Sequence, residues 1–206
     1  MTQQVPEGSE TPPVATAAGL KVLVVEDEAL IRLDLTEMLS EEGYVVAGEA
    51  GDGEQAVELA RRLRPDLVIM DIKMPKVDGI AAASTIVDER LAPVVMLTAF
   101  SQRDLIEQAR DAGAMAYLVK PFARHELVPA IELAVSRFAE KRALEDEVAS
   151  LNDRLETRKV IERAKGLLMS AQGLTEPEAF RWIQRTAMDR RTTMKAVAEA
   201  VVDSIK

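Results

Sequence analysis

"LVIMDIKMPKVDG" spans residues 67–79. Four apolar residues lead directly into an aspartate, Asp71, and Pro75 and Gly79 mark the turn that follows. So short and continuous an apolar run suits a strand buried on both faces. A carboxylate at its end then needs partners, because an unpaired buried charge costs several kcal/mol or shifts its pKa. What surrounds Asp71 therefore decides both the fold and its use.

Outward from this run (66–70 with its leading aspartate), four similar ones appear: "KVLVV" (21–25), "YVVAGEA" (44–50), "PVVML" (93–97) and "AYLV" (116–119). Between the runs lie amphipathic segments at 29–43, 53–65, 79–89 and 101–113. The first places Leu30, Leu33, Met38 and Leu39 near helical spacing and stops at Gly43; the second stops before Pro65. The fourth opens on Ser101, a good N-cap, and ends at Gly113. Alternation of this kind predicts an α/β domain over residues 20–125: a five-stranded parallel sheet, doubly wound, with helices on both faces.

Beyond residue 125 no strand signal remains. "HELVPAIELAVSRFAEKRALEDEVASLNDRLETRKVIERAKGLLMSAQ" reads as nearly continuous helix, with Pro129 near its first turn, where proline is tolerated. Leu144, Val148, Leu151 and Leu155 follow a 4-3-4 spacing, which predicts a coiled-coil seam and a homodimer; packing on the chain itself is the alternative. Two shorter helices follow. "LTEPEAFRWIQRTAMDRR" begins with the capping-box pattern Thr175…Glu178 and a first-turn Pro177. "TTMKAVAEAVVDSIK" puts Met194, Val197, Ala198, Val201 and Val202 on one face. The expected organisation is a disordered tail (1–19), the α/β domain (20–125), a helical linker (126–155) and a small three-helix domain (156–206).

Composition narrows the function. No apolar run approaches the roughly 20 residues of a membrane span. Cysteine is absent, which excludes disulfides and thiolate metal sites and suits the cytoplasm. The net charge of −9 divides unevenly, −12 over residues 1–149 and +3 over 150–206. An acidic body with a basic end points to different partners for the two parts.

In open α/β sheets ligands sit beyond the carboxyl ends of the strands, and here that edge is charged. The first run ends in Glu26-Asp27-Glu28, the third at Asp71, the fourth at Thr98 and the fifth at Lys120-Pro121. In a parallel sheet these residues converge. Clustered carboxylates repel one another, and a hard cation such as Mg²⁺ relieves that. A carboxylate is also a competent nucleophile for an aspartyl phosphate, and Lys and Thr can stabilise a transferring phosphoryl group.

"VVEDE", "MDIKMPKVDG", "LTA" and "YLVKPF", in this order and at these strand ends, resemble the receiver domain of response regulators, with its flavodoxin-like sheet, from Lys21 to about Arg124. That resemblance implies that Asp71 accepts phosphate from a histidine kinase. It implies Mg²⁺ on Asp27 and Asp71 directly, on Glu26 through water and on the backbone carbonyl of Lys73. It assigns Thr98 and Lys120 to the phosphoryl oxygens and Tyr117 to the aromatic switch position, although Tyr117 also reads as plain core. The first acidic position is Glu where the family has Asp, which changes reach and not charge.

"RKVIERAKGLLM", "EAFRWIQRTAMDRR" and "AVAEAVV" resemble the ANTAR family of RNA-binding antiterminators, over about residues 150–206. The resemblance implies paired stem-loops as ligands, one per subunit, and an indirect effect on transcribing RNA polymerase. Arg158 and Lys165 share one helical face, Arg185 lies on the next helix, and Arg190 and Arg191 close it. These are the candidate phosphate contacts, with a solvated charged face as the plain alternative. Trp182 could stack on a base but, beside Phe180 and Ile183, reads more readily as core or core-edge. His125, the sole histidine, reads as structural or solvated. Two other readings stand beside this one: a DNA-binding response regulator, and a protein-interaction adaptor.

Overall fold

The computed structural model describes residues 19–99 and 103–204. The expected N-terminal tail (Gly19 aside) and the expected Ser101 cap lie outside them. Packing divides the chain into two compact units, residues 1–140 and 141–206.

In the first unit five strands form one parallel sheet: β1 (Lys21–Val25), β2 (Val45–Ala50), β3 (Leu67–Asp71), β4 (Val94–Ala99) and β5 (Ala116–Lys120), in the spatial order β2-β1-β3-β4-β5. Helices α1 (Ala29–Glu41), α2 (Gly53–Leu63), α3 (Gly79–Asp88) and α4 (Arg103–Asp111) connect them. The order reverses between β1 and β3, and this switch point opens a crevice beyond their carboxyl ends. β3 is buried at every position, as its apolar run requires. One core packs Leu23, Val68, Met70 and Met96 with α2 and α3; the other packs Val22, Val24, Ile69 and Leu97 with α1 and with Leu127 and Ile131 of the following helix. Each strand thus feeds side chains alternately to two helical layers.

Helix ends follow local chemistry. Gly43 and Gly113, just past α1 and α4, hold positive φ of 85° and 84°. Asp52 and Asp78 cap α2 and α3 through their side chains. One expectation fails. Leu30 and Leu33 do not face the sheet; they are 83% and 55% exposed, while Leu35 and Leu39 are buried. Met38 lies five positions after Leu33, so the expected set never shared one face. Leu35 and Leu39, one turn apart, mark the true inner stripe.

Helix α5 (Arg124–Gln172) begins in the first unit and continues into the second, where α6 (Glu176–Asp189) and α7 (Met194–Ser204) join it. Ala164 and Leu168 of α5, Ala179, Ile183 and Ala187 of α6, and Val197, Ala198 and Val201 of α7 form the small core. The capping box is present: Glu178 accepts from the Thr175 amide at 2.8 Å and from its hydroxyl at 2.6 Å. α6 ends in a Schellman turn, with the Thr192 amide donating to Ala187 O and the Arg191 amide to Met188 O. Among the described residues no helix is long and apolar enough to cross a membrane.

Candidate functional site

Parallel pairing of β1, β3, β4 and β5 brings Glu26, Asp71, Thr98 and Lys120 to one edge. Asp27, Glu28, Asp71, Ile72, Lys73, Thr98, Ala99 and Lys120 line a cleft there of about 220 Å³. Oxygens of Glu26, Asp27 and Asp71 all lie within 4.8 Å of one another. Lys120 Nζ stands between two of these carboxylates, 2.5 Å from Glu26 Oε2 and 3.1 Å from Asp71 Oδ2. Asp71 Oδ1 also accepts the Ile72 amide at 2.8 Å, which leaves Oδ2 toward the cation. This is the partner that the opening run demanded.

Burial sets the electrostatics. Glu26 is wholly buried. Desolvation pushes its carboxyl up from the ordinary value, the Lys120 hydrogen bond opposes this, and the Asp71 charge adds to it. Burial acts to lower the Lys120 ammonium, but Glu26 and Asp71 outweigh it and the net shift is upward. Lys120 therefore stays charged beside Asp71. Three clustered carboxylates with one lysine between two of them leave excess negative charge. Hard oxygen donors in that number and spacing fit a small divalent cation such as Mg²⁺.

Thr98 is buried, and its hydroxyl makes a long 3.3 Å hydrogen bond to Ala99 O, so it is lightly held beside the cleft. Tyr117 is not core: it is 51% exposed and faces a separate apolar groove between α4, β5 and α5. Sequence inspection missed Arg32. Its Nη1 donates to the Glu26 carbonyl at 2.5 Å and its Nε to Glu49 at 3.1 Å, bracing the acidic turn against β2. Its place in the first turns of α1, six residues after Glu26, was the available signal.

In the second unit, Arg158, Arg185, Arg190 and Arg191 are all exposed. Arg190 and Arg191 project from the Schellman turn, at the negative end of the α6 dipole. Trp182, expected in or at the core, is 39% exposed. Lys165 departs from its expected role as an RNA contact. It is 6% exposed, and its ammonium is held by Glu162 at 2.9 Å and Glu176 at 2.7 Å. The Glu176 and Glu162 hydrogen bonds raise its pKa. A cation so engaged joins α5 to the start of α6 and is not offered to a ligand. Lys165→Ala therefore lowers the melting temperature of the second unit, since Glu162 and Glu176 lose their shared cation, and leaves the salt dependence of ligand binding at the parent value. A variant with parent stability and a shallower salt slope would return Lys165 to the ligand surface.

Comparison with known proteins gives two domain matches: the response regulator receiver domain over residues 22–132 and the ANTAR domain over residues 149–202. The transcriptional regulatory protein PdtaR of Mycobacterium tuberculosis is 70% identical over 185 residues, covering 90% of each chain. The chemotaxis protein CheY of Thermotoga maritima is 40% identical over 114 residues, covering 55% of this chain and 95% of its own. Among solved structures, the receiver domain of a sensor histidine kinase from Pseudomonas aeruginosa, described with a magnesium ion coordinated in its active site cleft, is 35% identical with a TM-score of 0.52. It matches 58% of this chain and 99% of its own.

Proposed function

The chain belongs to the response regulators that join a receiver domain to an ANTAR domain, and from that membership we propose that phosphorylation of Asp71 by a sensor histidine kinase controls its binding to stem-loop RNA and, through it, transcription antitermination. The observation that carries this is the cleft: a nucleophilic carboxylate, two further carboxylates, a charged lysine and a threonine gathered at one sheet edge of a chain that also carries an ANTAR domain.

In this reading an Asp71 oxygen forms a bond to the phosphorus as the phosphorus–nitrogen bond of the donor phosphohistidine breaks. Glu26, Asp27, Asp71 and the Lys73 carbonyl would hold Mg²⁺, which when bound offsets negative charge on the phosphoryl oxygens. Lys120, already 3.1 Å from Asp71, takes a phosphoryl oxygen. Thr98 turns to take another, and Tyr117 follows it, so the phosphoryl group selects one of two arrangements through its differential contacts. The same groups let the receiver assist its own phosphorylation and dephosphorylation. Leu144, Val148, Leu151 and Leu155 pair two copies, so that a dimer presents two RNA sites, and any effect on RNA polymerase runs through the RNA. The work is cytoplasmic, beside transcription.

For the RNA surface, we take Arg158, Arg185, Arg190 and Arg191 as the phosphate contacts and leave Lys165 out. Each single Ala substitution should weaken binding across loop sequences and make the log–log salt slope shallower by about 0.7–0.9 unit. The measurement is a salt titration against stem-loop RNA, with duplex DNA of matched length alongside. Tighter binding to the duplex would favour the DNA-binding alternative. Binding to neither would favour the adaptor, and parent-like slopes in all four variants would show only a solvated surface.

A further inference from the structure

The turn that follows β3 is fastened at two places. It closes on itself, with the Gly79 amide donating to Ile72 O at 2.9 Å. A Cβ on Gly79 would stand 1.9 Å from Asp71 O, so only glycine fits. It is also fastened sideways, to the start of α2. Lys76 Nζ lies 2.6 Å from Asp52 Oδ2, and the Gly53 amide donates to Val77 O at 3.2 Å. A Cβ on Gly53 would approach Val77 O to 2.6 Å, which is how close the two segments run. Asp52 is 3% exposed. Its Oδ1 caps α2 by accepting the Gln55 amide at 2.9 Å, while Oδ2 accepts both Lys76 and, at 3.1 Å, the Gln55 side-chain amide. Lys76 itself holds φ of +65°, a conformation that a residue with a side chain adopts only when its surroundings impose it.

These contacts cross a gap that the sheet does not close. β2, which leads into α2, and β3 are not neighbours; β1 lies between them. The turn carries Lys73, which lines the cleft with Asp71. We propose that Lys76 and Asp52 form a latch that holds the turn against the start of α2 and so sets where Lys73 and Asp71 stand for a divalent cation. Both are positioning residues, since neither reaches the cleft. The latch rests on the reading of Asp71 and its metal site given above. Lys76 is 60% exposed and meets the buried Asp52 from the solvent side, and without it the Asp52 carboxylate keeps both Gln55 hydrogen bonds. Loss of the latch is therefore read in the turn and not in the fold.

Two substitutions isolate it in the full-length chain. Asp52→Asn keeps a good helix cap and loses the charge. Lys76→Gly keeps the left-handed backbone and loses the ammonium. Without metal, amide exchange at Gly53 should quicken about 10-fold in both variants as the Val77 contact opens. Mg²⁺ affinity, measured by calorimetry, should fall about 10-fold in both, the lower end of what outer partners of a metal site contribute. The double variant should bind no more weakly than either single one, because the two groups act as a pair. The lysine variant separates the latch from simple electrostatics: removing a nearby positive charge would by itself tighten cation binding. Tighter Mg²⁺ binding by Lys76→Gly, or unchanged affinity in both variants, overturns the latch whatever the exchange shows, as does unchanged exchange at Gly53. A parent chain that fails to bind Mg²⁺ overturns the metal site itself, and the latch with it.

Discussion

Asp71→Asn should take up no phosphate and keep its fold. The amide is nearly the same size as the carboxylate, and its oxygen can still accept the Ile72 amide that now sits 2.8 Å from Oδ1. What disappears is the nucleophile, and with it one of the three negative charges packed within 4.8 Å. The remaining carboxylates, Glu26 and Asp27, no longer face the Asp71 charge, while Lys120 keeps its 2.5 Å contact to Glu26. Thermal stability should therefore equal or exceed that of the parent. Phosphate incorporation from acetyl phosphate or a phosphorylated kinase, in the presence of Mg²⁺, should fall to background. Labelling at the parent level would place the phosphoacceptor elsewhere and dissolve the functional assignment of the cleft. Melting well below the parent would mean that the Asp71–Lys120 pair supports the fold, contrary to the view that Glu26 alone suffices to hold the lysine.

Much of this site could be read before any coordinates, because it is written in local pattern. Four of the five apolar runs end in charged or hydroxyl residues, and a parallel sheet has no choice but to bring its strand ends together. Asp71 is the last residue of β3, so its position followed from where the apolar run stops. Contacts that depend on two distant segments were not legible. Lys165 reads as a cation on a basic face, yet one of its partners, Glu176, is eleven residues away on the next helix, and only the packing of α5 on α6 brings them to 2.7 Å. Lys76 and Asp52 are twenty-four apart and meet only because β1 separates their strands by one place. α1 shows a different failure. Its leucines are numerous enough to suggest several faces, and composition does not say which one the sheet will cover. The structure selects Leu35 and Leu39 and leaves Leu30 in solvent. Trp182, expected in the core or at its edge because large apolar side chains usually are, keeps 39% of its surface exposed.

Leu151→Asp should leave the chain monomeric, with or without phosphate. The 4-3-4 spacing of Leu144, Val148, Leu151 and Leu155 admitted two occupants, the chain itself or a second copy. Among the described residues these side chains are 63%, 56%, 49% and 55% exposed, so the seam is left about half open or more. Four large apolar groups in one stripe on a helix face fit a second identical helix, where each knob meets its symmetry mate. A seam of about two heptads is a modest interface. Each leucine fully buried contributes roughly 1.5–3 kcal/mol, and association must first offset lost freedom of motion. One aspartate per chain removes a central leucine pair and brings two carboxylates face to face, each at a desolvation cost of several kcal/mol. The loss exceeds what the remaining three positions can supply. Light scattering or sedimentation should show the monomer mass at concentrations where the parent, alone or with a phosphate analogue, is a dimer. Leu151→Ala should give only a weaker dimer, since it removes contact without adding charge. The aspartate variant should still bind one stem-loop and should lose the gain in affinity that a paired stem-loop gives through effective concentration. A dimer of unchanged mass and strength in Leu151→Asp would move the interface away from this stripe, and the four exposed side chains would then need another partner.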